Sequence, residues 1–261
     1  MIPLKDNIPT ERFALVTVAL ILANVVVYLL SIRHGGSLWS GPPNDVTVHY
    51  GAIPYEFTHP GRHCGLTAPF AGASQIACEG QAGVAGHPGP QPPFWQTAFT
   101  SMFMHGGLLH LAGNMLFLWI FGNNVEDSMG RLRFIAFYLL GGLAALAGQV
   151  LIDPGSTVPT VGASGAIAAV LGGYIWLYPR ARVLTLIFII FFVTVIELPA
   201  LAVLGLWFLE QLAFASAGQV SPAGGGGIAY FAHIGGFLFG LVLIQTFVKR
   251  RKTVPPPHPV Y

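Results

Sequence analysis

The stretch that decides the fold is VGASGAIAAVLGGYIWLYPR, residues 161–180, an apolar run about as long as one membrane-spanning helix. Ser164 stands near its beginning, between glycines, in the tetrad GASG. If the run is helical, Ser164, Ala168 and Gly172 share one face because they are spaced four residues apart. A face of small residues lets a second helix approach closely. This stretch therefore predicts a tightly packed membrane helix with a serine at its mouth.

The composition of the 261-residue chain places it among membrane proteins. Hydrophobic residues make up 54% of it and charged residues only 8%, whereas a soluble domain is about one quarter charged. The net charge is +2, and the twelve lysines and arginines punctuate apolar runs instead of forming one broad basic surface. This pattern argues against nucleic acid as a partner and indicates the lipid bilayer.

Other apolar runs predict further spanning helices. They occupy residues 13–32, 108–122, 134–152, 183–217 and 228–248. The run 183–217 is too long for one upright helix and too short for two helices with a turn. We predict one span within it, with residues 183–195 lying along or dipping into the inner interface. The fold class expected is an all-α integral membrane protein, a bundle of six transmembrane helices with a long extracytoplasmic first loop.

The basic residues predict the orientation of this bundle. With six spans and an inside N terminus, ten of the twelve lie on the cytoplasmic side, and only Arg33 and Arg62 lie outside. Splitting residues 183–217 into two spans would move the basic cluster 249–252 outside. We therefore expect a multi-pass protein of a prokaryotic plasma membrane with both termini cytoplasmic. The domains expected are a cytoplasmic leader 1–11, a membrane domain 12–248 and a basic, proline-rich cytoplasmic tail 249–261.

The first loop, residues 34–93, is rich in glycine, proline and polar residues and carries both cysteines of the chain, Cys64 and Cys78. In an oxidising compartment these cysteines are candidates for a disulfide. The alternative is a metal site, whose ligands would be His59, His63, His87 and the two cysteines. This spacing is no established metal motif, so we predict neither a metal nor a cofactor.

Four polar residues fall within three of the predicted spans. His110 and Asn114 share a face of the second span, Ser164 begins the fourth, and His233 lies in the sixth. Since these three spans all enter from the outside, the four side chains meet at one depth, near the outer surface. Polar groups inside lipid are costly and indicate function, the alternative being that they only join helices by hydrogen bonds.

Chemistry gives these residues complementary roles. A serine hydroxyl becomes a good nucleophile when a base accepts its proton, and His233 is the candidate base for Ser164. The oxyanion that then develops needs donors, which Asn114, His110 and the backbone N–H of Ser164 could supply. No carboxylate lies at a matching depth with persuasive geometry, so we predict a Ser–His dyad instead of a triad.

At this point the sequence resembles the rhomboid family of intramembrane serine proteases. The resemblance rests on HGGLLHLAGN (residues 105–114), GASG (162–165) and AHIGG (232–236), in this order and on alternate spans. It extends to MIPLKDNIPT at the start, GNNVED before the third span and YPRARVLTL after the fourth. It thus covers most of the chain outside the first loop. It implies a six-helix core with a Ser–His dyad that opens to water on the outer side.

The resemblance also implies roles for particular residues. Ser164 corresponds to the nucleophile, His233 to the general base, and His110 with Asn114 to the oxyanion donors. His105 resembles a structural histidine, Glu126 a loop residue that braces the fold, and Ala168 stands where many members place an aromatic ring beneath the catalytic histidine. The function implied is a serine endopeptidase that cuts single-span membrane proteins near the outer membrane boundary, after a small residue and without a cofactor.

Two other classes of function compete with this interpretation. A catalytically inactive relative would bind membrane proteins without cutting them, but such relatives lose the serine or the histidine, and this chain keeps both. A small-solute channel or transporter would spread polar groups through the whole membrane depth and often repeat its two halves. Here the polar groups cluster at the outer end and no internal repeat is visible.

Overall fold

The computed structural model of the chain describes residues 1–67, 76–81, 91–189, 192–216 and 229–249. Within these residues the protein is mostly helical, and three helices are long and apolar enough to cross a membrane. They cover Leu108–Met129, Arg131–Ile152 and Tyr230–Phe247. Three shorter apolar helices cover Leu15–Ser31, Ser164–Leu177 and Ala200–Ser216. Apolar helices therefore lie at all of the predicted positions, whereas the glycine-rich stretch 218–227 and most of the tail fall outside the described residues.

The elements are numbered in chain order. The helices are α1 Leu15–Ser31, α2 Asn44–Tyr50, α3 Pro54–Thr58, α4 Phe94–Thr100, α5 Leu108–Phe117, α6 Asn123–Met129, α7 Arg131–Ile152, α8 Ser164–Leu177, α9 Ala200–Ser216 and α10 Tyr230–Phe247. The strands are β1 Ile2–Asp6, β2 Cys64–Leu66, β3 Ile76–Cys78, β4 Arg182–Ile189 and β5 Phe192–Pro199. A π-helical turn, Leu118–Gly122, joins α5 to α6 without a break.

Helix α8 is the centre of the core, and nearly all of its residues are buried. Its closest neighbour is α10, which contacts it backbone to backbone. A Cβ atom on Gly240 would collide with the carbonyl oxygen of Ala169, and a Cβ on Gly236 would collide with that of Gly165. Only glycine permits this approach, so the small residues of both helices bring their polar side chains within reach of each other.

The end of α8 opposite Ser164 lies where several junctions of the chain meet. The backbone N–H of Lys249, just after α10, donates to the carbonyl of Ser128 at 3.0 Å. The backbone N–H of Asn7 donates to the carbonyl of Arg182, also at 3.0 Å. The leader, the α6–α7 junction and the segments after α8 and α10 therefore share one end of the bundle, and Ser164 lies at the other.

The all-α prediction is wrong for the segment that follows α8. Strands β1, β4 and β5 form a three-stranded antiparallel sheet in the order β1-β4-β5, with Ile2 opposite Leu186 and Val183 opposite Leu198. The sequence of β4 and β5 is dominated by β-branched and aromatic residues, which favour extended structure. The length of the 183–217 run is thus explained by a hairpin followed by α9.

The first loop is not irregular where the structure describes it. We call residues 37–67 and 76–81 the cap; it contains α2, α3 and the hairpin β2–β3. A small core of Val48, Ile53, Tyr55 and the two cysteines holds it together. Ala52 and Thr160 exchange backbone hydrogen bonds of 3.0 and 2.8 Å, which fasten the cap to the loop before α8. The cap therefore lies directly beside the beginning of the Ser164 helix.

The prediction of a loop at Glu126 is wrong, because the helix continues through the π turn into α6. The buried carboxylate of Glu126 accepts hydrogen bonds from the backbone N–H groups of Val16, at 3.1 Å, and Thr17, at 2.8 Å. The hydroxyl of Thr17 donates to it as well, at 2.8 Å. A carboxylate at a helix N terminus satisfies free N–H groups and complements the helix dipole. Glu126 thus ties α1 to α6, which is the bracing role that the resemblance implies.

Candidate active site

Ser164 is the first residue of α8 and is half-buried. Two residues before it, Gly162 has a φ of +124° and donates its backbone N–H to the carbonyl of Ser101 at 2.8 Å. A Cβ at Gly162 would lie 2.8 Å from Nε2 of His110 and 3.5 Å from Oγ of Ser164. Glycine is required here both by the backbone conformation and by the space. It leaves an open volume between the serine hydroxyl and the imidazole of His110.

His233 lies in the first turn of α10 and is buried, with 9% of its surface exposed. Its Nε2 lies 2.8 Å from Oγ of Ser164, although the two residues are far apart in the sequence. The glycine contacts between α8 and α10 make this distance possible. A serine hydroxyl that donates to an unprotonated imidazole nitrogen has the arrangement of a base-activated nucleophile.

Asn114 and His110 extend from α5 into the cavity that Ser164 and His233 also line. Asn114 is buried, and its Nδ2 has no hydrogen-bond partner among the described residues. Leaving a buried donor unpaired is costly, so such a group in a native structure needs an explanation. Preorganised donors stabilise an oxyanion where one forms, so Nδ2 of Asn114 is a candidate for that role. His110 exposes its ring to the same cavity.

His105 is fully buried behind His110. Its Nδ1 lies 3.3 Å from the carbonyl oxygen of Phe103, and its ring meets that of His110 edge to face, with centroids 5.2 Å apart. Edge-to-face contact is a favoured geometry for neighbouring rings. His105 therefore supports the ring of His110 and does not line the cavity itself.

Two residues of α9 belong to the site, and neither is predicted from the sequence. Oε1 of Gln211 lies 2.8 Å from Nδ1 of His233, and the ring of Trp207 lies 5.8 Å from the His233 ring, centroid to centroid. Ala168, at the position where many members of the family have an aromatic residue, is a fully buried alanine without a ring. The aromatic neighbour of His233 is instead Trp207, which lies on another helix. The sequence does contain one signal for Gln211, because a polar side chain within an apolar helix indicates a function.

The cavity has a volume of about 1370 Å³ and is larger than most ligand pockets. Four of the residues that line it are Ser164, His233, Asn114 and His110. One side of it is formed by the membrane helices and the other by the cap. The cap residues that line it are Trp39, Ser40, Pro42, Asn44, Thr47, Val48, Leu66 and Ile76. Several of these side chains are apolar, so the cap contributes a partly apolar wall to the cavity.

Cys64 and Cys78 face each other across the β2–β3 hairpin and are joined by a disulfide. Because the two cysteines are bonded to each other, they cannot serve as thiolate ligands of the alternative metal site. The described residues contain no group of three His, Cys, Asp or Glu side chains that could hold a metal ion. His87, a further ligand of that alternative, lies outside the described residues.

Glu56 lies beside the disulfide, and burial raises the pKa of its carboxyl group. The hydrogen bond of 2.8 Å that this carboxylate accepts from the N–H of Cys64 acts in the opposite direction and lowers the pKa.

Comparison with known proteins identifies relatives of this chain. Residues 92–250, more than half of the chain, match the family model of the Rhomboid domain. Rhomboid protein 1, mitochondrial, of Saccharomyces cerevisiae is 32% identical over 148 residues, which are 54% of this chain and 39% of the yeast protein. Presenilin-associated rhomboid-like protein, mitochondrial, of Homo sapiens is 32% identical over 145 residues, which are 54% of this chain and 35% of the human protein. Rhomboid protease GluP of Bacillus subtilis is 37% identical over 82 residues, which are 31% of this chain and 16% of that protein.

The matched segments cover well under half the length of each of these relatives. Two of the relatives are mitochondrial by name and one is bacterial. The comparisons therefore give no support to the predicted prokaryotic plasma membrane. They do establish a membrane protein, in agreement with the apolar helices.

Proposed function

The chain belongs to the rhomboid family, and on this premise we propose that it is an intramembrane serine endopeptidase that cuts transmembrane proteins with a Ser164–His233 dyad. The observation that carries the proposal is the distance of 2.8 Å between Oγ of Ser164 and Nε2 of His233. These are the atoms between which a proton must pass when the serine attacks a carbonyl carbon. Both residues line the same cavity, which an extended substrate segment would enter.

The remaining cavity residues fit the steps that follow. As Oγ of Ser164 bonds to the carbonyl carbon, its proton passes to His233 and the negative charge moves to the carbonyl oxygen. Asn114, His110 and Ser164 all line the cavity, and we assign Nδ2 of Asn114, the ring of His110 and the backbone N–H of Ser164 as the donors to this oxygen. His233 then protonates the departing amine, and water hydrolyses the acyl-enzyme by the same route.

The depth of the site restricts the substrate. A peptide bond within a regular helix has its carbonyl hydrogen-bonded and its backbone covered by side chains. The dyad lies at the end of α8 that faces the cap, so only a segment that unwinds near this surface could reach Ser164. We infer that substrates are single-span proteins cut near the outer membrane boundary, where Gly, Pro or polar residues weaken the helix.

We expect the position of a cleavable sequence in a host helix to decide whether it is cut. The same sequence is placed at the outer boundary, at the middle and at the inner boundary of a single-span host protein, and cleavage is followed in liposomes. The host with the outer site should be cut fastest, and replacing its helix-breaking residues with leucine should protect it. Equally fast cleavage at the inner boundary, or of the all-leucine host, would contradict the depth argument, even with Ser164 as the nucleophile.

The topology proposed for this function has six spans, with both termini on the basic side. Helix α8, at 14 residues, is only about 21 Å long. Since other elements bury nearly all of it, α8 need not match the bilayer thickness as a lipid-exposed helix must. A second observation supports this arrangement. The leader, the α6–α7 junction and the segment after α10 meet at one end of the bundle, and each of them carries basic residues.

We expect reporters fused before Met1 and after Tyr261 to lie on the same side of the membrane, with the cap on the other. The physical reason is the uneven distribution of basic residues, ten of twelve on one side. A reporter inserted at Gly61, an exposed turn of the cap where a Cβ would have no described atom within 4 Å, should report the opposite side. Termini found on opposite sides would require a different number of spans.

A further inference from the structure

The hydrogen bond between Gln211 and His233 has a defined direction. A glutamine amide has an oxygen that accepts and a nitrogen that donates, and the two are distinguished by their partners. Nε2 of Gln211 lies 3.2 Å from the carbonyl oxygen of Trp207, one turn earlier in α9. A carbonyl oxygen can only accept, so the amide nitrogen must point towards it. The amide oxygen is therefore the atom that faces His233.

This direction determines the protonation of the imidazole. The amide oxygen of Gln211, 2.8 Å from Nδ1 of His233, requires a hydrogen on that nitrogen. In a neutral imidazole, the other nitrogen, Nε2, is then unprotonated and accepts the hydroxyl proton of Ser164 at 2.8 Å. The opposite tautomer would place a hydrogen on Nε2, where it could not act as a base towards Ser164. The amide thus selects the tautomer that the reaction needs.

The surroundings keep Gln211 in this orientation. It is 7% exposed, and α9 presents Gln211 and Trp207 on one face because they are four residues apart. The backbone carbonyl of Trp207 accepts the hydrogen bond from the amide of Gln211, and the indole ring of Trp207 lies beside the imidazole of His233. The ring of Trp207 in turn lies 6.2 Å from that of Phe237 on α10, centroid to centroid, so the two helices are packed together at this point.

We propose that Gln211 is a positioning residue of the active site, which holds His233 in the tautomer and orientation that accept the proton of Ser164. The proposal rests on the proposed protease function and adds to it a third residue, supplied by α9. A buried side chain that orients the base acts as the carboxylate of a Ser-His-Asp triad does. Here a neutral amide takes the place of a charge, which would be costly to bury in a membrane protein.

The kinetic test replaces Gln211 in the full-length protein. Gln211→Met keeps most of the side-chain volume but removes the oxygen, so we expect kcat to fall about 10- to 100-fold, with KM within about twofold of wild type. Gln211→Glu should remain within about threefold of wild type. A carboxyl oxygen still accepts from Nδ1, and in the neutral acid the O–H can also donate to the Trp207 carbonyl. Glu210→Met, the same replacement at the neighbouring exposed position of α9, should leave both constants unchanged.

The second test reads the tautomer directly and does not depend on cleavage. Nitrogen NMR of protein with ¹⁵N-labelled histidine distinguishes a protonated Nδ1 from a protonated Nε2, and the His233 signal is the one absent from His233→Ala. We expect hydrogen on Nδ1 in wild type and Gln211→Glu, and a mixture of tautomers in Gln211→Met. If Gln211→Met does not fold, Gln211→Ala removes the same acceptor without adding volume and is used in its place.

The outcomes separate this proposal from the function it rests on. A wild-type kcat in Gln211→Met, or the same His233 tautomer with and without the amide, overturns the role of Gln211 while leaving the dyad intact. A loss of activity in Gln211→Glu equal to that in Gln211→Met also overturns it, because rescue by the remaining acceptor is required. If wild-type protein cleaves nothing, the protease proposal fails, and the NMR result still decides whether Gln211 selects the tautomer.

Discussion

Ser164→Ala should abolish cleavage of a transmembrane substrate, with kcat/KM falling by at least about 10³-fold. The side-chain oxygen is the atom that would bond to the substrate carbonyl, and its hydrogen bond within the site is to His233. The replacement removes one atom from a half-buried position at the edge of a cavity, so the fold should be preserved. The measurement is turnover by purified protein in liposomes, together with labelling by a serine-reactive phosphonate.

A matched control is Ser216→Ala, near the end of α9. Ser216 is exposed, and its hydroxyl bonds to the carbonyl of Ala213 within its own helix, at 2.8 Å. This variant should cleave and be labelled as wild type is, with the label on Ser164. Near-normal turnover by purified Ser164→Ala would rule out the mechanism, and a wild-type protein that takes up no phosphonate would favour a relative that binds without cutting.

The other cavity residues should give graded losses in the same assay. His233→Ala should be as inactive as Ser164→Ala, because the two act as a unit. Asn114→Ala should retain weak activity, with a loss on the order of 10²-fold, as for other oxyanion donors. His110→Ala should act in the same direction. Equal activity of Asn114→Ala and wild type would leave the unpaired amide nitrogen of Asn114 without the role proposed for it.

The parts of the site that the sequence predicts are those with a local pattern. Ser164, His233, His110 and Asn114 each interrupt an apolar helix and are flanked by glycine or by one another at helical spacing. The structure brings all four to one cavity. Helix periodicity and the direction of the spans suffice for this result, since residues near the same end of packed helices lie at one depth.

The parts that could not be predicted depend on contacts between distant segments. Strand β1 pairs with β4 although α1 to α8 lie between them in the sequence, and nothing in the leader by itself marks it as a sheet partner. The position of the cap depends on the pairing of Ala52 with Thr160. Gln211 lies next to the charged Glu210, and which of the two meets His233 is decided by the rotation of α9 in the bundle. Single residues without a repeated pattern carry no information on that rotation.

The second large effect that we expect concerns a residue that does no chemistry. Gly240→Ala should destabilise the protein by about 1–3 kcal/mol and lower cleavage at least about tenfold. The added Cβ would meet the carbonyl oxygen, carbonyl carbon and Cα of Ala169, all backbone atoms that cannot rotate away. The helices α8 and α10 must then separate, and because Ser164 and His233 sit on these two helices, their hydrogen bond lengthens. Thermal unfolding in detergent and turnover in liposomes measure the two effects.

Gly205→Ala is the control for this change, since it places the same methyl group on a helix of the same protein. Among the described residues, no atom lies within 4 Å of a Cβ built at Gly205 in α9, and alanine favours the helix by about 1 kcal/mol over glycine. This variant should be as stable as wild type or slightly more stable, and fully active. If Gly240→Ala behaved in the same way, close backbone packing of α8 and α10 would not be what brings the serine to the histidine. A loss confined to Gly240→Ala would connect the small residues of these two helices, which look like packing positions only, directly to the geometry of the dyad.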